Sequence, residues 1–235
     1  MHRRKLLLFD IDNTLVSPRG AGRLALVQAV QAVYGTPGMM ETVPLAGSTD
    51  KLAVFQGLQA AGLSAAEIEG GWADFCRIVP QTLTAILATR PIVACPGAQA
   101  LLSQLVPSVQ CDGTLLGLVT GNVAATAMIK LAAAGIDPAQ FRVGAFGSDA
   151  ADRNVLPGLA VARALELVHH RFVGSDVVVI GDTPADIMCG QVIQARTVGV
   201  ATGPYRVDEL VAAGADVVFP DLLDTPAVLA ALIDH

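Results

Sequence analysis

Short apolar runs that end in polar residues alternate with helical stretches of about ten residues over most of this chain, and few folds accept that pattern. The runs are residues 5–10, Leu115–Thr120, Val143–Phe146, Val177–Gly181, Thr197–Val200 and Asp216–Phe219. Helical periodicity covers Pro96–Leu105, Ala124–Ala134, Leu156–Val168, Pro184–Gln194, Val207–Ala213 and Pro226–Ile233. Strand and helix taking turns means βα units and a parallel sheet wound on both faces. The first strand stands apart, because residues 17–90 read as almost pure helix. Gly20–Tyr34 and Asp50–Ala61 carry helical spacing, and Ser64 with Glu67 forms a capping box for a third stretch towards Ala88, which Gly70-Gly71 is expected to break. The expected fold class is α/β, a doubly wound parallel sheet with an inserted α-helical subdomain. Residues 1–16 and 91–235 form the core and 17–90 the insertion.

Charge narrows the function classes. Only 15% of the residues are charged, 53% are apolar and the net charge is -6. With 12 Arg and 3 Lys against 21 acidic residues there is no basic footprint, so no nucleic-acid partner is expected. No apolar run reaches the roughly 18 to 20 residues of a spanning helix, so no membrane role is expected. His2-Arg3-Arg4-Lys5 before Leu6-Leu7-Leu8-Phe9 imitates a signal peptide, but Asp10 and Asp12 cut the apolar region short. A cytoplasmic location is expected. Cys76, Cys95, Cys111 and Cys189 have no C-x-x-C or zinc spacing and read as four small buried hydrophobes.

In a doubly wound sheet, ligands bind at the carboxyl ends of the strands. Those ends carry Asp10-Ile11-Asp12-Asn13-Thr14, Thr120-Gly121-Asn122 and Gly181-Asp182-Thr183-Pro184-Ala185-Asp186. Four carboxylates, Asp10, Asp12, Asp182 and Asp186, thus converge in a chain poor in charge. Like charges about 4 Å apart repel by about 4 kcal/mol at an effective dielectric near ~20. Such a cluster needs a cation or bound protons. The segments hold no His or Cys, and an all-oxygen ligand set favours Mg²⁺.

Phe9-Asp10-Ile11-Asp12-Asn13-Thr14-Leu15 resembles motif I, D-x-D-x-T, of the haloacid-dehalogenase (HAD) superfamily. Leu118-Val119-Thr120-Gly121-Asn122 resembles its motif II, and Val179-Ile180-Gly181-Asp182-Thr183-Pro184-Ala185-Asp186 its motif IV, G-D-x-x-x-D. The three occur in the family's order, and the match spans the whole chain. The insertion resembles the α-helical C1 cap of the phosphoglycolate-phosphatase-like branch.

The resemblance implies that Asp10 is the nucleophile forming an aspartyl-phosphate, and that Asp12 protonates the leaving alcohol and then activates water. It implies that Thr120 with the amides of Gly121 and Asn122 holds the phosphoryl oxygens. Mg²⁺ is expected on Asp10, on Asp12 through its carbonyl, and on Asp182, with Asp186 as a further ligand or a support. Motif III departs from the family's usual Lys ahead of the last motif. The only lysines are Lys5, Lys51 and Lys130. Lys130 is expected on the order of 10 Å from its strand end, two helical turns away. Arg153 is therefore assigned the cationic, phosphate-binding role, with Arg142 and Arg163 as weaker candidates. Asp186 also makes a good N3 partner for a Thr183 cap, and Thr120 could cap the helix after it.

The leading expectation is a Mg²⁺-dependent phosphomonoester hydrolase acting on a small phosphorylated metabolite, possible substrates including phosphoglycolate-like esters. The alternatives are a phosphoryl transferase such as a sugar-phosphate mutase of the same superfamily, and a phosphate-binding regulatory protein without turnover. Gly20-Ala21-Gly22-Arg23-Leu24-Ala25 matches G-x-G-x-x-A but sits away from any strand, so no nucleotide role is assigned. Gly47-Ser48-Thr49-Asp50 reads as a helix cap that could also face substrate. His169-His170 is read as complementing a helix dipole. No G-x-S-x-G occurs.

Overall fold

The computed structural model describes residues 4–234; His2 and Arg3 of the basic N-terminal segment lie outside them. A six-stranded sheet runs β5 (Val143–Phe146), β4 (Leu115–Thr120), β1 (Leu6–Phe9), β6 (Val177–Gly181), β7 (Arg196–Val200) and β8 (Val217–Phe219), all parallel. β1 lies between β4 and β6, with Leu8 opposite Gly117 on one side and Val179 on the other. The winding therefore reverses at the centre of the sheet. The central strands are buried throughout, which is why they read as unbroken apolar runs. Leu7 and Phe9 belong to the core on one face, Leu6 and Leu8 to the core on the other. The helices of this part are α4 (Ala98–Pro107), α5 (Ala124–Ala133), α6 (Leu156–Val168), α7 (Pro184–Val192), α8 (Val207–Ala212) and α9 (Thr225–Ile233).

The helical block contains α1 (Ala21–Tyr34), α2 (Asp50–Gln59) and α3 (Ala65–Leu87). The chain enters and leaves it through an antiparallel ribbon, β2 (Val16–Ser17) against β3 (Val93–Ala94), with Val16 opposite Ala94. Two expectations are corrected here. Gly70-Gly71 does not break the third helix: α3 is continuous, opened by the Ser64–Glu67 capping box. Gly71 is there for close approach, since a Cβ would sit 2.5 Å from the Tyr34 ring, whose hydroxyl donates to the Ile68 carbonyl at 2.8 Å. Residues 17–90 are also less purely helical than expected, because an irregular segment separates α1 from α2. Arg23 on α1 holds that segment by donating to the carbonyls of Met40, Glu41 and Val43 at 2.8, 3.0 and 3.0 Å.

The cysteines divide. Cys95 and Cys189 are buried, but Cys76 is only partly covered and Cys111 is exposed. Cys111 falls in the Ser108–Asp112 π-turn after α4, outside the periodic helix face. His169 takes a left-handed conformation, φ 50°, as the C-cap of α6. Among the described residues, no helix is long and apolar enough to cross a membrane.

Candidate active site

β4, β1 and β6 are neighbours, so the loops that leave their carboxyl ends meet, and a cavity of about 430 Å³ opens there against the helical block. Asp10 is the first residue beyond β1, and its amide donates to the Ile180 carbonyl at 2.8 Å. Strand pairing with β6 thereby fixes where its carboxylate begins.

Arg153 stands in a single 3₁₀ turn just before α6 and is buried. Its Nη2 donates to Asp10 Oδ1 at 2.9 Å and to Asp186 Oδ1 at 2.5 Å. The other Asp186 oxygen accepts from the Thr183 amide at 3.0 Å and hydroxyl at 2.7 Å, while Thr183 Oγ1 accepts from the Asp186 amide at 3.3 Å. This capping box starts α7, with Pro184 in its first turn. Both Asp186 oxygens are thus engaged within the protein. Arg163 is not at the site: it pairs with Asp149 and donates to the Gly144 carbonyl.

Asp182, at the start of the loop after β6, is buried, and its Oδ2 has no hydrogen-bond partner. Thr14 Oγ1 donates to its Oδ1 at 3.4 Å. A Cβ at Gly203 would lie 1.7 Å from the orphaned Oδ2, so only glycine leaves room there. One oxygen each from Asp10, Asp182 and Asp186 lies within 4.8 Å of the others. A buried, unpartnered carboxylate oxygen in an all-oxygen cluster fits a hard divalent cation. The Asp12 side chain is not part of this triple.

Without a cation, the Asp10 and Asp182 carboxyls hold protons tightly. Burial, with Asp186 and Asp12 adding to it and Arg153 opposing, pushes Asp10 up to about 7. Burial and the charges of Asp10 and Asp186 push Asp182 up to about 9. Burial works against the Arg153 charge, but Asp186 and Asp10 outweigh it and hold the guanidinium above its ordinary pKa.

Asp12 faces the other way. Its Oδ2 accepts from Lys130 Nζ at 2.5 Å and from Asn122 Nδ2 at 3.2 Å, and its Oδ1 has no partner. Lys130 also donates to Asn122 Oδ1 at 2.6 Å, and Asn122 Nδ2 donates to Thr120 Oγ1 at 2.8 Å. The expected distance of Lys130 from the site is therefore corrected. Its Cα lies two turns along α5, but the long side chain runs back towards the helix start, as helical side chains do. The sequence signal was its identity as one of three lysines, on the helix that follows Thr120-Gly121-Asn122. Thr120 does not cap α5, because its hydroxyl is taken by Asn122.

The N-terminus of α5 is satisfied in part from the helical block and in part by Ser148 Oγ, which accepts from the Ala124 amide at 3.2 Å. Asp50 Oδ2 accepts from the Val123 amide at 2.8 Å, and the Asp50 amide donates to the Gly121 carbonyl at 2.7 Å. Thr49 caps α2 and donates to the Ala151 carbonyl at 2.7 Å. Burial pushes Asp50 up to about 6, with Lys130 and the Val123 amide opposing. Glycines let these backbones touch: a Cβ at Gly121 would lie 2.0 Å from the Ser48 carbonyl oxygen, and one at Gly147 would lie 1.8 Å from the Gly121 oxygen. Thr49 of Gly47-Ser48-Thr49-Asp50 is thus a helix cap, while Gly47, Ser48 and Asp50 wall the cavity together with Gly20, Gly22, Leu26, Leu45, Val79 and Leu83.

Residues 157–225 match the HAD-hydrolase-like family model. No curated protein matches the chain. Among solved structures the chain is similar to a hydrolase from Pseudomonas syringae, with 23% identity, 97% of this chain and 98% of that one covered, and a TM-score of 0.64. It is similar to CbbY from Rhodobacter sphaeroides in complex with phosphate, with 20% identity, 95% and 96% covered, and a TM-score of 0.70. It is also similar to a haloacid dehalogenase-like family hydrolase from Streptococcus pneumoniae, with 19% identity, 96% and 98% covered, and a TM-score of 0.62.

Proposed function

We propose, on the premise that this chain is a HAD-like hydrolase by its family match over residues 157–225 and by its fold, that it is a phosphatase hydrolysing a small phosphomonoester through an aspartyl-phosphate on Asp10. One observation carries this: Asp10, the Asp182 carboxylate with its orphaned oxygen and the Arg153 guanidinium meet where the Thr120-Gly121-Asn122 loop opens into the same cavity. The likeness to CbbY in complex with phosphate supports the ligand class.

In this scheme a carboxylate oxygen of Asp10 attacks phosphorus as the bond from phosphorus to the ester oxygen breaks. The departing electron pair goes to that oxygen, which takes a proton from the Asp12 carboxyl. The Asp12 carboxylate then accepts a proton from the water that hydrolyses the acyl-phosphate. Arg153 spreads positive charge over the nucleophile and the equatorial oxygens. Thr120 and the Gly121 and Asn122 amides bind those oxygens. Asp10, Asp182 and the Asp12 carbonyl would hold Mg²⁺, with Asp186 fixing Arg153 beside them. When bound, the ion supplies charge neutralisation between a carboxylate and a phosphate dianion. Residues 17–90 act as the cap that shuts the cavity from water and shapes it for a small substrate.

The test is a phosphatase screen over a panel of phosphorylated metabolites with Mg²⁺, using Asp10→Asn as the control. Release of inorganic phosphate from at least one ester, lost in Asp10→Asn and in EDTA, is the expected result. Activity that survives Asp10→Asn overturns the covalent scheme.

A further inference from the structure

Lys130 is a buried cation in contact with the acid–base residue, and no part of the scheme above uses it. It crosses from α5 to the cavity through a gap kept open by Gly22 on α1, where a Cβ would lie 3.1 Å from Nζ. Gly22 belongs to the G-x-G-x-x-A segment, whose second glycine thereby acquires a structural reason. The ammonium has three donors. One goes to Asp12 Oδ2 at 2.5 Å and one to Asn122 Oδ1 at 2.6 Å. The third has no partner among the described residues, and Lys130 lines the cavity. Asn122 closes the ring by donating to the same Asp12 oxygen at 3.2 Å. Both donors converge on Oδ2, while Oδ1 is buried and has no partner.

We propose that Lys130 is a positioning residue for proton transfer: with Asn122 it clamps Asp12 by Oδ2 and so fixes the direction in which the carboxyl meets the leaving-group oxygen. The inference rests on the phosphatase reading and adds to it a residue and a dependence on the leaving group. A positioned acid contributes about 10²- to 10⁴-fold, and a misplacement of about 1 Å can cost ~10²-fold. That contribution matters most for an alkoxide, which cannot depart without a proton. It matters least for p-nitrophenolate, which departs as the anion.

The experiment compares kcat/KM for an alkyl phosphate found in the screen and for p-nitrophenyl phosphate in wild type and Lys130→Met. The loss is expected to be at least tenfold greater on the alkyl ester. A general structural defect lowers both alike, so equal losses, or no loss on either ester, overturn the proposal. Gly22→Ala is the second variant: alanine favours α1 by helix propensity, yet it crowds the amine. It is expected to shift the same ratio in the same direction by a smaller factor, and it carries the test should Lys130→Met fail to fold. Wild-type protein inert towards every ester, or unaffected by Asp10→Asn, marks failure of the phosphatase reading instead.

Discussion

A single guanidinium nitrogen of Arg153 stands 2.9 Å from Oδ1 of Asp10, and the turn that carries it lies 143 residues further along the chain, beyond β5. The pair joins the end of β1 to the start of α6. The Asp10 carboxyl is therefore held by a side chain from the turn before α6, while its backbone is held by β6.

Asp10→Asn keeps the hydrogen-bonding shape but removes the negative charge that the proposed attack needs. Phosphate release is expected to fall by about 10³-fold or more, as for loss of other nucleophiles. Circular dichroism and the melting temperature should show a folded protein. Full activity would sink the role of Asp10.

Arg153→Ala leaves the buried Asp10 and Asp186 without their shared partner. Breaking a buried pair costs about 3 to 5 kcal/mol, so the metal-free variant should melt well below wild type near neutral pH. It should also show a raised KM and a lowered kcat for phosphate esters. Wild-type kinetics would move the phosphate-binding role to another cation.

Asp50→Ala removes the acceptor that caps the Val123 amide from across the cavity. A hydrogen bond to a charged group is worth about 1.5 to 3 kcal/mol. Amide exchange at Val123 is expected to accelerate, and KM to rise several-fold, because the wall segment no longer grips the loop after β4. Unchanged exchange at α5 would show that the backbone contacts suffice.

The raised carboxyls set a pH dependence for the metal-free protein. Asp50, Asp10 and Asp182 sit at about 6, 7 and 9 when folded, against about 4 unfolded. The folded chain binds more protons than the unfolded one between these limits, so stability falls as pH rises. Their contribution is full below about pH 4 and is lost progressively through pH 6 to 9. Melting in EDTA should therefore drop from pH 5 to pH 9. Mg²⁺ should raise the melting temperature more at pH 8 than at pH 5, since it replaces protons on Asp10 and Asp182. An equal effect of Mg²⁺ at both values would place the ion elsewhere.

Much of this was legible in the residues. Leu6–Phe9 and Val177–Gly181 declare buried parallel strands because nothing polar interrupts them, and a carboxylate just past each marks the sheet's ligand edge. Gly71 was misread because propensity counts a glycine pair as a helix breaker, whereas packing against Tyr34 can require one. Lys130 was underestimated because Cα spacing along a helix ignores the reach and backward lean of a lysine side chain. Asp50 was invisible as a partner of Val123 because nothing local ties the helical insertion to the loop after β4; only the fold brings them together.

The grip of residues 47–50 on the strand-end loops is made by the Thr49 and Asp50 side chains and the Asp50 amide, with glycines opposite. A clasp built on those two residues is blind to the other side chains on its cavity-facing surface. Leu45 and Ser48 can therefore be exchanged to reshape the chamber without unfastening it, whereas any side chain at Gly121 or Gly147 prises it open. Substrate range in this architecture can drift while closure stays fixed.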